Sequence, residues 1–213
     1  MMPLATKKDY VLISVIGLLL ALLVLPVLKN LDVSFWNFSL PAVFGLIIAA
    51  VAAANAGLFA ADWLGQRIFF VWQFAKFAAV GALNTLIDLG ILNVLLAFSS
   101  VHAGWGFAGF KAISFVVANV NAYFWNKHWV FVGTGNGRGT VQYAQFLAVS
   151  TIGLLLNDGA ASLVVNFLAR PENISAPLWA NIGALTATFV SLIWNFLGYK
   201  FVVFKSKTAV SRF

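Results

Sequence analysis

The chain has 213 residues, 62% of them hydrophobic and 9% charged, with a mean hydropathy of +0.95. That composition excludes a soluble globular domain and describes an integral membrane protein. The formal net charge of +7 comes from basic residues standing singly between apolar runs, which excludes a nucleic-acid-binding stripe, and the lack of cysteine excludes disulfides and thiolate metal sites.

A hydrocarbon core of ~30 Å needs about 20 helical residues, and six windows qualify. The first, Tyr10–Leu28, follows Lys7 and Lys8; Pro26-Val27-Leu28-Lys29 offers no small-residue cleavage site, so it reads as a membrane helix. The second, Leu40–Ala61, carries one polar residue, Asn55, assigned to packing. Residues 63–76 mix aromatic and polar side chains at helical spacing. They read as a short amphipathic helix in the interface or as an extension of the third helix. The third window, Phe77–Phe98, holds Asn84 and Asp88. The fourth, Phe107–Trp125, holds Lys111, Asn119 and Asn121.

Next, Gly133-Thr134-Gly135-Asn136-Gly137-Arg138-Gly139-Thr140 reads as a flexible linker; as a phosphate loop it lacks a preceding strand and the Walker spacing. The fifth window, Ala144–Leu168, holds Asn157 and Asp158, and the sixth is Pro177–Leu197. Between them Asn173-Ile174-Ser175 fits a glycosylation sequon, read as coincidence. Period-two alternation, the mark of a β-barrel, is absent.

Alternating loops put ten basic residues (Lys7, Lys8, Arg67, Lys76, Lys127, Arg138, Lys200, Lys205, Lys207, Arg212) on one side and three (Lys29, Lys111, Arg170) on the other. The positive-inside rule makes the first side cytoplasmic, with both termini there. Trp63, Trp72, Trp125 and Trp129 fall near cytoplasmic ends, and Trp36, Trp105 and Trp179 near outer ends, at interfacial depth. His102 and His128 fall on opposite sides, so no shared metal site is expected and no cofactor is implied.

The second half repeats the first. Phe77-Ala78-Ala79-Val80-Gly81 returns as Phe146-Leu147-Ala148-Val149-Ser150, and Lys127-His128-Trp129-Val130-Phe131 as Lys200-Phe201-Val202-Val203-Phe204. The motifs stand 54 residues apart in one half and 58 in the other, and each half has an acid, Asp88 or Asp158, 11 or 12 residues after its first Phe. Both halves begin and end on the cytoplasmic side, so the repeat is parallel. The expected fold is all-α: six transmembrane helices with cytoplasmic termini, namely an N-terminal helix pair (1–62), an interfacial segment (63–76), a four-helix core (77–205, halves 77–131 and 146–204) and a basic tail (206–213).

The run Phe77 to Asp88, the later Asn121-Ala122-Tyr123-Phe124-Trp125-Asn126-Lys127 and the terminal Trp194-Asn195-Phe196-Leu197-Gly198-Tyr199-Lys200 together resemble the GtrA-like family, over about Gln73 to Lys205. The N-terminal helix pair departs from the family's usual four-helix unit. The resemblance implies a multi-pass protein of the bacterial inner membrane that moves a polyprenyl-phosphate-linked sugar to the outer leaflet for cell-surface polysaccharide synthesis. It also implies a membrane-bound glycosyltransferase as partner.

Such a substrate keeps its tail in lipid while its phosphate and sugar need polar partners. Asp88, Asp158, Asn84, Asn121 and Asn157, with Asn119, are the mid-membrane candidates for sugar hydroxyls, since carboxylates and amides are hydrogen-bonding partners for them. An ionisable group at that depth is costly and is kept where it has a task or a partner. Lys127, Lys200 and Lys76 are the cytoplasmic phosphate candidates, and Lys111 and Arg170 the outer ones. Packing hydrogen bonds between helices, and lysines reaching the headgroups, are the structural alternatives for the same residues.

A transporter places the two acids and Lys127 and Lys200 on one laterally open cavity. A scaffold for a glycosyltransferase has its polar groups satisfied internally, and a small proton-coupled exporter needs the acids alone. No nucleophile system or nucleotide-sugar domain points to an enzyme. A homodimer is compatible with so small a chain, and the other partners are membrane lipids, not nucleic acid.

Overall fold

The computed structural model describes residues 4–30, 38–99, 104–132, 139–174 and 176–205. Trp36, His102, most of the glycine-rich linker with Arg138, Ser175 of the sequon, Lys207, Arg212 and the rest of the tail fall outside the described residues. So do the side chains of Lys29, Trp105, Lys111, Asp158 and Trp179. The chain is an all-α integral membrane protein, with no strand among the described residues. It divides into two compact units, Met1–Val132 and Gly133–Phe213, at the glycine-rich run.

The first unit holds α1 (Lys7–Asn30), α2 (Leu40–Gly65), α3 (Phe69–Ser99) and α4 (Gly104–Trp125), the last continued by a π-helical turn over Asn126–Val130. The second holds α5 (Gly139–Ser162) with a π turn over Leu163–Phe167, and α6 (Ala176–Gly198) with a π turn over Tyr199–Val203. Among the described residues, five of the six α-helices have stretches long and apolar enough to cross a bilayer. The remaining one, α4, has 22 residues, which at ~1.5 Å each also reach across ~30 Å. Large apolar side chains stand out on the surface, among them Phe44 (61% exposed), Ile48 (68%) and Phe59 (65%) on α2, as lipid-facing positions require.

α1 opens with a capping box. The Thr6 amide and hydroxyl donate to Asp9 Oδ2 at 2.9 and 2.6 Å, and the Asp9 amide donates back to Thr6 Oγ1 at 3.3 Å. α1 and α2 then pack closely. A Cβ at Gly17 would lie 2.9 Å from Val51 Cα and 3.0 Å from the Ala50 carbonyl oxygen. Small residues let backbones approach in lipid, where no hydrophobic drive separates helices from their solvent. Asn55 completes that seam, its Nδ2 donating to Ser14 Oγ at 2.9 Å and the Val51 carbonyl at 2.8 Å, the packing role read from the sequence. Because backbone cannot yield, Gly17→Leu is expected to cost about 1–3 kcal/mol, read as a lower unfolding midpoint in detergent.

No separate interfacial helix forms over residues 63–76. α2 runs through Trp63 to Gly65, and α3 begins at Phe69, so the segment is shared between two long helices. A Cβ at Gly65 would lie 2.7 Å from Trp72 Cβ, so a side chain there would collide with the returning helix. Asp62 ties this corner to the N-terminus: its Oδ1 accepts from the amides of Leu4 at 2.6 Å and Ala5 at 2.9 Å.

In the second unit the two repeated motifs pack together. Phe146, fully buried near the start of the transmembrane part of α5, stacks on Tyr199 at 4.2 Å and meets Phe204 edge-on at 6.3 Å. Gln142 Nε2 donates to the Val203 carbonyl at 3.1 Å, and the Ser150 and Tyr199 hydroxyls share a hydrogen bond of 2.6 Å. Further along the seam, a Cβ at Gly198 would lie 2.5 Å from Val149 Cγ1, and one at Gly153 would overlap the Asn195 carboxamide.

Candidate functional site

Each half ends in the same irregular backbone. The Phe131 amide donates to the Asn126 carbonyl at 2.8 Å and the Phe204 amide to the Tyr199 carbonyl at 2.7 Å, both i to i−5 bonds that widen the last turn. π turns of this kind concentrate at functional positions. Each buries its closing phenylalanine to 1% exposure, while the second residue of each turn is a lysine, Lys127 or Lys200. Lys127 Nζ lies 5.3 Å over the Tyr123 ring and donates to its hydroxyl at 3.2 Å. Lys200 Nζ lies 5.6 Å over Phe196 and 5.9 Å from the Phe201 ring centre. Tyr123 and Phe196 both stand four residues before their lysine, so the two halves build one device twice: a half-buried ammonium steadied over an aromatic face.

Deeper in each half lies a polar rung between its two helices. Ser114 Oγ on α4 donates to Asp88 Oδ1 on α3 at 2.6 Å. Asn157 Nδ2 on α5 donates to Ser191 Oγ on α6 at 3.1 Å. Asn157 stands 11 residues after Phe146, as Asp88 stands 11 after Phe77. Asn157 thus keeps the spacing of Asp88 from the first phenylalanine of its half. Asp158, matched to Asp88 in the sequence, lies one residue on, a turn of about 100° around α5.

Around the first rung several amide atoms are buried with no partner among the described residues: Asn84 Oδ1, Asn119 Oδ1 and Asn121 Nδ2. Asn84 lies one turn before Asp88 and so on its face of α3, while Asn121 lies two turns after Ser114 and so on its face of α4. Antiparallel packing brings those two directions together along the seam. An orphaned acceptor and an orphaned donor there are costly unless something polar arrives to meet them.

The remaining expected residues are placed differently. Lys76 does not present itself to a phosphate. It is 7% exposed and its Nζ lies 2.8 Å from Asp9 Oδ1, between the indoles of Trp72 and Trp129, each 4.9 Å from the ammonium. Trp129 Nε1 donates to the same Asp9 oxygen at 2.9 Å. A buried carboxylate needs such partners, and Asp9 thereby fastens the N-terminal helix to the start of α3 and the end of α4. Arg170, in the connection between α5 and α6, is exposed and donates through Nη1 to the Ile174 carbonyl at 3.0 Å.

Sequence reasoning missed Asp9, Trp129 and the rung serines. Thr6-Lys7-Lys8-Asp9 carries a readable capping signal, but no local pattern links Asp9 to residues 67 and 120 positions away.

The family described as GtrA/DPMS, transmembrane domain, matches residues 76–204, more than half of the chain. An uncharacterized membrane protein, YngA, of Bacillus subtilis (strain 168) is 28% identical over 150 residues, covering 65% of this chain and 90% of its own length. No solved structure matches the chain.

Proposed function

Because the chain belongs to the GtrA/DPMS transmembrane-domain family, we propose that this multi-pass membrane protein flips a polyprenyl-phosphate-linked sugar from the cytoplasmic to the outer leaflet of a bacterial inner membrane. The observation that carries the reading is the duplicated lysine, Lys127 and Lys200, held over an aromatic ring on a π turn at the end of each half. An ammonium at interfacial depth meets a lipid-borne phosphate as a point charge, and the aromatic face below limits its wandering without neutralising it.

The rungs supply the second requirement. A sugar crossing hydrocarbon must exchange water for other hydrogen-bonding partners. Asp88 with Ser114, the Asn84 Oδ1 and Asn121 Nδ2 atoms that lack a partner among the described residues, and Asn157 with Ser191 offer them at mid-helix. No bond in the substrate breaks in such a step, so the chain acts as a transporter and not as an enzyme. The lipid-linked sugar is then made by a separate membrane glycosyltransferase.

Proteoliposomes containing the purified protein and a fluorescent polyprenyl-phosphate sugar test the reading through the label's accessibility to an impermeant quencher. Protein-dependent movement is expected, and Asp88→Leu should slow it about 10- to 100-fold by removing a buried carboxyl and leaving its polar partners unmet, a loss of ~1–3 kcal/mol. Wild-type protein that moves no lipid, yet retains a glycosyltransferase on purification, would replace transport by scaffolding.

A further inference from the structure

The first unit contains a groove that the transport reading does not use. It measures about 270 Å³ and is lined by Lys8 and Leu12 of α1 and by Phe124, Trp125, His128 and Trp129 at the end of α4. From its shape and charge we infer that it holds one anionic phospholipid of the surrounding bilayer, its phosphate between Lys8 and His128 and its first methylenes along Leu12, Phe124 and Trp125.

The walls are built for an amphipathic guest. Lys8 and Leu12 stand four apart on one face of α1, which places a cation one turn above an apolar side chain. Opposite, Phe124 is 55% exposed and stacks on the exposed imidazole of His128 at 6.1 Å with 9° between the rings. Trp125 packs edge-on against Trp129 at 5.6 Å. Trp129 forms a fixed back wall, since its indole is buried and held by Asp9. The volume lies just under the ~300–1,000 Å³ of drug-sized sites, room for a headgroup and the start of a chain, with the rest of the lipid left in the bilayer.

Charge favours an anion. Both described acids at this end of the unit are engaged elsewhere, Asp9 by Lys76, Trp129 and Thr6, and Asp62 by the Leu4 and Ala5 amides. No carboxylate pairs with Lys8 among the described residues, and Lys7 and Lys127 add positive charge nearby in the chain.

The groove also breaks the internal repeat. The positions of Trp125, His128 and Trp129 are taken in the second half by Gly198, Phe201 and Val202. The first half thus differs from the second at residues that line the groove with Lys8 and Leu12 of α1, and α1 itself lies outside the family match at 76–204. A feature present in one half and completed by the extra helix belongs to the setting of this chain in its membrane. It does not belong to the duplicated transport device, so the inference stands whether or not the protein flips a lipid-linked sugar.

Quenching of tryptophan fluorescence by brominated phospholipids, with the full chain reconstituted, tests it. Brominated phosphatidylglycerol should quench at a mole fraction about fivefold lower than brominated phosphatidylcholine, the preference expected of one basic side chain near an anionic surface. Lys8→Gln/His128→Gln should erase that preference while leaving the unfolding midpoint unchanged, because both side chains are exposed, and Trp125→Phe should remove the selectively quenched component. Equal quenching by the two lipids in wild type, or a preference that survives the double substitution, overturns the inference. So does displacement of the brominated lipid by polyprenyl phosphate but not by unbrominated phosphatidylglycerol, which would hand the groove to the transported lipid.

Discussion

Lys76→Met should lower the unfolding free energy by about 3–5 kcal/mol, because it leaves the Asp9 carboxylate buried without its cation. The two side chains are only 8% and 9% exposed, so solvent cannot take over the role of the lost partner. Trp129 Nε1 and Thr6 still donate to Asp9 in the variant, but neutral donors do not balance a full charge in a site of low dielectric. Asp9→Asn/Lys76→Met removes both charges, keeps one acceptor oxygen, enough for either Thr6 or Trp129, and should recover part of the loss. Chemical unfolding of the three proteins in the same micelle decides the matter. A single-variant cost below ~1 kcal/mol, the range of exposed ion pairs, would mean that the pair is solvated and does not clamp the helix.

The second large effect is functional. Lys127→Ala and Lys200→Ala should each reduce flipping of the lipid-linked sugar about 10- to 100-fold, the equivalent of a charged hydrogen bond of ~1.5–3 kcal/mol to phosphate. The variants should fold normally, since each lysine is half-buried at a helix end and its ammonium lies over aromatic rings that the substitution leaves in place. Arginine substitutions separate charge from geometry. A planar, forked guanidinium keeps the charge but not the point-like ammonium, so partial activity in Lys127→Arg/Lys200→Arg is expected. Full activity of the double alanine variant in proteoliposomes would remove the π-turn lysines from the mechanism and leave them as interfacial anchors.

The helices were legible in the sequence because a lipid solvent imposes a length and an apolar composition that few other folds satisfy. Five of the six windows lie within an observed helix, and the other, Ala144–Leu168, ends one residue past its π turn. The repeat was legible too, but its motifs fixed only the ends of the halves. The middle of the repeat is open by one residue: Asn157 keeps the 11-residue spacing of Asp88 and bonds across to α6, while the side chain of Asp158 lies outside the described residues. Lys76 was misjudged for a different reason. Its position near a helix start said where it lies in depth but not that a carboxylate 67 residues earlier would reach it. The π turns left no composition signal at all, since Asn126–Val130 and Tyr199–Val203 share only a lysine and a closing valine.

The clamp at Asp9 also sets an order of assembly. One oxygen of that carboxylate accepts from Thr6 and closes the first turn of α1, while the other waits for Lys76 and Trp129. Trp129 is 120 residues further along the chain, so at ~5–20 residues per second a ribosome delivers it roughly 6 to 24 s after Asp9. Lys76 arrives part-way through that interval, 67 residues after Asp9, and until its end the carboxylate lacks the indole donor. The final seat of α1 therefore depends on a residue at the far end of α4, and a truncation anywhere before Trp129 would leave the nascent protein with a buried acid and an incomplete set of partners.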